Sequence, residues 1–199
     1  MSSRFLLLVV GLGNPGPKYA GTRHNVGFDI IDDYAARLGI SFTTQRHHSL
    51  LAISEKHGVV LMKPQTLMNL SGTAVRGYVD SHSVPHDKVV VVADNFDVVL
   101  GAMKLNNRGG AGGQNGVEDV LRHLGKSSGF ARMKVGIGRP RIGVDPADYV
   151  LGRFNLHEQR VMAQVRTKAV DCLEVFRQEG LAKAMNQFNG TIVDLTPPA

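Results

Sequence analysis

Cysteine is nearly absent: the 199 residues contain one, Cys172. An intrachain disulfide and a cysteine-rich zinc cluster are therefore excluded, and the apolar, helical surroundings of Cys172 predict a buried, inert thiol. Long apolar runs are missing too. The longest, Phe5 to Val10, falls well short of the roughly 18 residues of a membrane span and of the roughly 7–15 residues of a signal-peptide core. The expectation is a soluble, cytoplasmic protein with no membrane association. Several chemical signatures are also lacking: no GxSxG nucleophile elbow, no GxxxxGKS/T phosphate loop and no HExxH zinc motif. The adjacent His47 and His48 lie in a polar stretch and read as exposed residues rather than ligands. Neither a metal nor a cofactor is expected.

One familiar pattern is present but incomplete. Gly11-Leu12-Gly13-Asn14-Pro15-Gly16 matches GxGxxG directly after an apolar run, where a dinucleotide-binding turn would sit. Such a turn needs a helix starting within the glycines and an acid about 20 residues further on, at the end of the next strand. Pro15, Pro17 and Gly21 break that helix, and Asp32 and Asp33 fall inside a helical pattern instead. Nicotinamide chemistry is disfavoured on these grounds.

With 43% hydrophobic and 20% charged residues, the chain suits one compact domain. The domain is expected over residues 1–190, followed by a frayed tail, 191–199, that ends Pro-Pro-Ala. The run Phe5–Leu12 reads as a strand buried on both faces. Residues 26–38 carry Phe28, Ile31, Tyr34, Ala35 and Leu38 at helical spacing before Gly39, a capping glycine. Further strands are predicted at Val59–Met62, Val89–Ala93, Gly101–Leu105 and Met133–Ile137. Helices are predicted over 71–80, capped by Ser71, and over Val117–Leu124. A long amphipathic pattern over 155–187 predicts two helices broken near Gly180. Alternation of this kind predicts an α/β fold: a single-domain three-layer sandwich with a mixed, mostly parallel sheet flanked by helices.

Charge is concentrated rather than spread. Between Val98 and Gly143, eight basic residues (Lys104, Arg108, Arg122, Lys126, Arg132, Lys134, Arg139 and Arg141) face two acids, Glu118 and Asp119, so this segment holds the whole net charge of +6. A polyanionic partner suits such a segment, since phosphate neutralisation releases counterions. A merely solvated basic face is the plainer alternative.

Polar residues gather at strand ends and in glycine-rich turns, where open α/β sheets build their sites: Asn14, His24 and Asn25 in TRHN, Asn69, Asp94 and Asp97 in ADNFD, and Asn115. Singly, each suits a turn. Together, one imidazole, one carboxylate and several amides suit water-mediated ester hydrolysis: the imidazole takes a proton, the carboxylate sets its tautomer, and amides stabilise the oxyanion. The residues alone lead to a hydrolase with a basic binding surface.

The segments GLGNPGPKYAGTRHNVGFD, KPQTLMNLSGTAV, ADNFDVVLGAMKL, GGAGGQNGVEDV and VGIGRP resemble, in order and spacing, those of bacterial peptidyl-tRNA hydrolases, and the resemblance runs from Phe5 to Phe188. It implies an enzyme, active as a monomer without an obligate protein partner, that cleaves the ester between a nascent peptide and the 3′-terminal ribose of tRNA. By the same resemblance His24 is the catalytic base and Asp94 orients it. Asn14, Asn69 and Asn115 position peptide, water and oxyanion, Tyr19 and Asn25 lie near the terminal nucleotide, and Lys104, Arg108 and Lys134 contact tRNA phosphates. The sequence departs from the family pattern at Ala93 and Asn95, where relatives often have His and Glu around the aspartate, and at Gln114, where they have a histidine near the tRNA end. Asn106 replaces a basic residue and Leu67 an aromatic one. The rival expectation is a non-catalytic RNA-binding homologue that serves as a splicing cofactor.

Overall fold

The computed structural model describes residues 6–193; Phe5 and the Pro-Pro-Ala end of the expected tail lie outside that range. Seven strands form one sheet in the order β2-β3-β4-β1-β5-β7-β6: β1 (Leu7–Gly11), β2 (Thr44–Arg46), β3 (Ser49–Ser54), β4 (Val59–Pro64), β5 (Val89–Asn95), β6 (Met103–Asn106) and β7 (Ala131–Gly136). The centre, β4-β1-β5-β7, is parallel, and the pairs beyond it are antiparallel. All five β1 residues and all seven of β5 are buried, as continuous apolar strands covered on both faces must be.

Six helices complete the layers: α1 (Val26–Leu38), α2 (Ser71–Ser81), α3 (Asn115–Leu124), α4 (Pro146–Leu151), α5 (Leu156–Glu179) and α6 (Leu181–Phe188). One core joins α1, α5 and α6 to Leu7, Val9, Val90 and Val92. The other joins α2 and α3 to Leu8, Val10, Val89 and Val91. Alternate residues of the same strand thus feed opposite cores, the period-two geometry of a strand, and the result is the expected three-layer sandwich. The break between α5 and α6 falls at Gly180 (φ 90°), and α1 ends at Gly39 in the left-handed conformation. Cys172 is fully buried, and desolvation pushes its thiol up to about 12.

Several local expectations need correction. Ser71 does not cap α2: it is the first helical residue, and its hydroxyl donates to the Met68 carbonyl at 2.8 Å. The polar stretch around His47 and His48 is a hairpin turn between β2 and β3, both residues holding positive φ (49° and 51°). Only His48 is exposed there; His47 is half-buried, packed edge-on against Tyr78 and bonded to Ser81. Leu156, at the start of the amphipathic pattern over 155–187, is 77% exposed and so stands off the apolar face of α5. Residues 191–193 of the expected tail belong to the fold, since Ile192 bridges Ala102 and Val193 N–H donates to the Gly101 carbonyl at 2.7 Å. No helix among the described residues is long and apolar enough to cross a membrane.

The glycines of the GxGxxG-like segment have a packing role. A Cβ on Gly11 would lie 2.3 Å from the Gly27 carbonyl oxygen, and one on Gly27 would lie 2.5 Å from the carbonyl oxygens of Leu12 and Val92. Helix α1 therefore rests on the β1–β5 seam at backbone contact. Gly27→Ala is expected to force the helix outward and destabilise the fold by about 2–3 kcal/mol, as overpacking at an unyielding site does, measurable as a lowered urea midpoint with an unchanged slope.

Candidate active site

The chain leaves β1 through Asn14, makes a 3₁₀ turn at Pro17–Tyr19, reverses at Gly21 (φ 71°) and enters a second 3₁₀ turn, Arg23–Asn25, that runs into α1. This turn places His24 over the carboxyl end of β5. The Nδ1 atom of His24 lies 3.0 Å from both carboxylate oxygens of Asp94, which is 3% exposed. The pair occupies the crevice where the chain passes from one side of β1 to the other, the switch point at which open α/β sheets bind ligands.

Amides hold the surroundings in register. Asn25 accepts from the Asn14 N–H and donates to the Asn14 carbonyl, each at 2.9 Å. Asn14 in turn accepts from the Met68 N–H at 2.8 Å, which leaves its own NH₂ group available to the crevice. Both polar atoms of Asn25 are thus committed to the Asn14 backbone. Asn95 bonds Gly112 and the Asp97 N–H, and so ties the glycine-rich loop to the end of β5. Gln114 is 5% exposed; its Nε2 donates to Asp94 Oδ1 at 3.0 Å, and its Oε1 caps α3 by accepting from Val117 N–H at 2.8 Å. Its side chain is thus committed to Asp94 and to the start of α3.

Around this floor lies a cavity of about 540 Å³ lined by Asn14, His24, Met68, Asn69, Asp94 and Gln114, among others. Asn69 and Asn115 are exposed on its rim. Leu67, Phe96, Val150 and Leu151 make it largely apolar, the usual character of a ligand cleft with a few placed polar groups. Tyr19 does not line it; the ring is half-buried in its turn, with Lys18 Nζ 5.5 Å from its centroid.

Sequence reasoning missed one wall of this cavity and the clamp that holds it. Helix α4 supplies Pro146, Ala147, Val150 and Leu151 to the lining, and Asp145 caps it by accepting from Ala147 N–H. Arg23, next to His24, reaches across to this wall. It donates to Glu158 at 2.8 Å and to the Arg153 carbonyl at 2.9 Å, with its guanidinium 4.3 Å from the Tyr149 ring centroid. Glu158 also accepts from Asn155 N–H in a capping box at the start of α5. The Asn155-x-x-Glu158 spacing was the available sequence signal; its partner Arg23, 135 residues away, was not visible.

The basic residues divide. Lys104 and Lys134 sit directly opposite each other on β6 and β7, Lys104 and Arg108 exposed and Lys134 half-buried. Burial, with Arg132 and Lys104 nearby, holds the Lys134 ammonium below its ordinary range, opposed by Asp97. Arg132, counted among the surface charges from sequence, is 2% exposed and bonds the carbonyls of Gly109 and Phe130. It supports the loop instead. A Cβ on Gly112 would lie 3.0 Å from Lys134 Nζ, so the cavity wall and the lysine pair adjoin.

A histidine fixed by a buried aspartate on the floor of an amide-lined crevice, at the carboxyl edge of an open sheet, defines a general-base site of the hydrolase class. The family model for peptidyl-tRNA hydrolase matches residues 8–195, and the chain belongs to that family. It is 43% identical over 185 residues to a peptidyl-tRNA hydrolase of Chloroflexus aurantiacus, covering 92% of this chain and 98% of the relative. It is 40% identical to that of Alkaliphilus metalliredigens, over 93% and 100%. The crystal structure of peptidyl-tRNA hydrolase from Acinetobacter baumannii superposes with a TM-score of 0.88 at 32% identity, covering 95% of this chain and 97% of that one. The splicing-cofactor alternative gains no support from these relatives, which bear the hydrolase name.

The Arg23 clamp generates a test. Arg23→Ala leaves the Glu158 carboxylate without its cation and unties the His24 turn from α4, so stability should fall by about 3 kcal/mol, the cost of halving a largely buried pair. Glu158→Gln, which keeps the capping geometry, should cost less; urea denaturation of both reads the difference.

Proposed function

We propose that this protein hydrolyses the ester joining a nascent peptide, or an N-blocked aminoacyl group, to the 3′-terminal ribose of tRNA. The observation that carries the reading is the His24–Asp94 pair at 3.0 Å on the floor of an amide-lined cavity, in a chain of this family.

In this mechanism ionised Asp94 accepts the Nδ1–H of His24, which leaves Nε2 as the lone-pair nitrogen. Nε2 takes a proton from water as the water oxygen attacks the ester carbonyl carbon. The NH₂ group of Asn14 donates to the oxyanion of the tetrahedral intermediate. Its collapse breaks the bond to the ribose oxygen, which leaves with the proton returned by the imidazolium. Asn69 and Asn115, on the rim, hold the peptide main chain, with the apolar wall beside them for side chains. Asn25 acts through Asn14, and Gln114 through Asp94. Tyr19, in the 3₁₀ turn that precedes the His24 turn, would stack on the terminal nucleotide, since every base can stack on an aromatic.

The acceptor stem would lie across Lys104, Lys134 and Arg108. Like charges directly opposite on neighbouring strands oppose folding, and a bound phosphate reverses that repulsion. Phosphate contacts position without reading sequence, as suits an enzyme that accepts many tRNAs. We place the protein in the cytoplasm, working as a monomer on peptidyl-tRNA without a further protein partner, cofactor or metal, with a hydrolase domain that extends past residue 190 to include Ile192 and Val193.

The deciding experiment is release of labelled N-acetyl-aminoacyl groups from tRNA in EDTA. The wild type should turn over, and His24→Ala should lose about 10³-fold in kcat, within the range a general base supplies, while still binding tRNA. Wild-type binding without cleavage would sink the reading. Lys134→Ala should weaken tRNA binding and lower the slope of log affinity against log salt by about one, the loss of a single phosphate contact, with kcat at saturation unchanged.

A further inference from the structure

We propose that Gln114 is a positioning residue: a permanent, non-titrating donor that holds the Asp94 carboxylate in place beneath His24 and ties that placement to the start of α3. The inference rests on the hydrolase reading for its kinetic test, though not for its spectroscopic one.

A primary amide can be turned either way, but here only one orientation works. Oε1 is claimed by the Val117 N–H at 2.8 Å, so Nε2 faces Asp94 Oδ1 at 3.0 Å, with Met68 Sδ 3.2 Å away. The reverse orientation would set a carbonyl against a carboxylate and an NH₂ against an N–H, two unpaired clashes at a buried position. The helix cap therefore dictates which end of the amide Asp94 meets. A donor on Oδ1 also stops the carboxylate from rotating, which keeps both oxygens at 3.0 Å from His24 Nδ1. Met68 closes the arrangement, since a Cβ on Gly116 would lie 2.5 Å from its sulfur, so α3 cannot shift without disturbing it. An imidazole at this position could donate toward Asp94 only in one tautomer or when protonated; a glutamine amide donates at every pH.

The charged groups around the carboxylate are few. His24 faces it from the 3₁₀ turn, and Asp145, at the cap of α4, lines the same cavity. Asp97, in the loop after β5, is paired with Arg139, and Lys134 on β7 lies behind Gly112. Asn95, Met68 and Gln114 are neutral.

Two substitutions test the proposal. Gln114→Glu is isosteric and keeps an acceptor for Val117 N–H, but it sets a second carboxyl group against Asp94, where two such groups share one proton. The introduced group can donate to Asp94 only while protonated. The kcat on N-acetyl-aminoacyl-tRNA should therefore lie about tenfold or more below wild type at about pH 8, with the deficit shrinking toward about pH 6 and KM within about twofold. A deficit equal at every pH, or none, would overturn the proposal, because a purely structural role has no reason to titrate. Gln114→Met fills the same space with neither donor nor acceptor. Without the donor, the Asp94 charge is left to His24 alone, and the His24 imidazole, followed by NMR, should titrate at higher pH than in the wild type. This measurement needs no turnover: an unmoved titration in a folded Gln114→Met protein refutes the role of Gln114, whereas a wild type that fails to cleave refutes the hydrolase reading.

Discussion

Helix α1 lies on the seam between β1 and β5 at backbone contact, because Gly11 and Gly27 place no side chain between them. The rest of the crevice follows from that approach. The 3₁₀ turn bearing His24 leads directly into α1, and Asp94 is the penultimate residue of β5, so the distance between helix and seam sets the distance between imidazole and carboxylate. A helix held farther out by one methyl group would carry His24 with it. The same glycines that imitate a dinucleotide-binding turn thus serve helix–sheet packing, and no pyrophosphate is needed to account for them.

Around the pair, orientation is supplied mainly by neutral groups. Asn25, Asn14, Asn95 and Gln114 are each buried and each bonded to backbone or to Asp94. Amides can act as donor and acceptor together, so a chain of them links β1, the α1 turn, the Met68 turn and α3 without adding charge beside the reacting groups. Burying the same number of ionised side chains would impose desolvation costs that only excellent pairing offsets. Charge enters the scaffold at the periphery instead: the Arg23–Glu158 pair fixes α4, and the opposed lysines of β6 and β7 border the glycine-rich loop. Under the proposed function this division is useful, because binding charge and reacting charge remain separate.

The layered α/β architecture and most of its elements could be read from pattern alone. Continuous apolar runs identified β1, β4 and β5, and the 3.6-residue spacing identified α1 and the α5–α6 pair with its break at Gly180. The misses have local causes. The β2–β3 hairpin turns on His47 and His48 in a conformation usually left to glycine or asparagine, so the usual turn signal was absent. Helix α4 spans six residues, too few for a periodicity to show. Ser71 has the residue type of a cap but not its place, because the preceding 3₁₀ turn, Met68–Leu70, leads straight into α2 and uses the serine hydroxyl internally.

The sequence by itself determined the alternating strands and helices of a layered α/β fold, through their periodicity, while its motifs, by their resemblance to the family, implied the pairing of His24 with Asp94. Only the tertiary structure decided which polar residues face the crevice and which brace it. Asn14 and Asn25 are the same residue type and Lys134 and Arg132 carry the same charge, and the difference within each pair lies in what the side chain meets across the fold. Asn25 is spent on the Asn14 backbone and Arg132 on the Gly109 carbonyl, while Gln114 is turned toward Asp94 by a helix cap. Such commitments arise from contacts between segments distant along the chain, where a buried polar atom takes whichever partner the packing brings within reach.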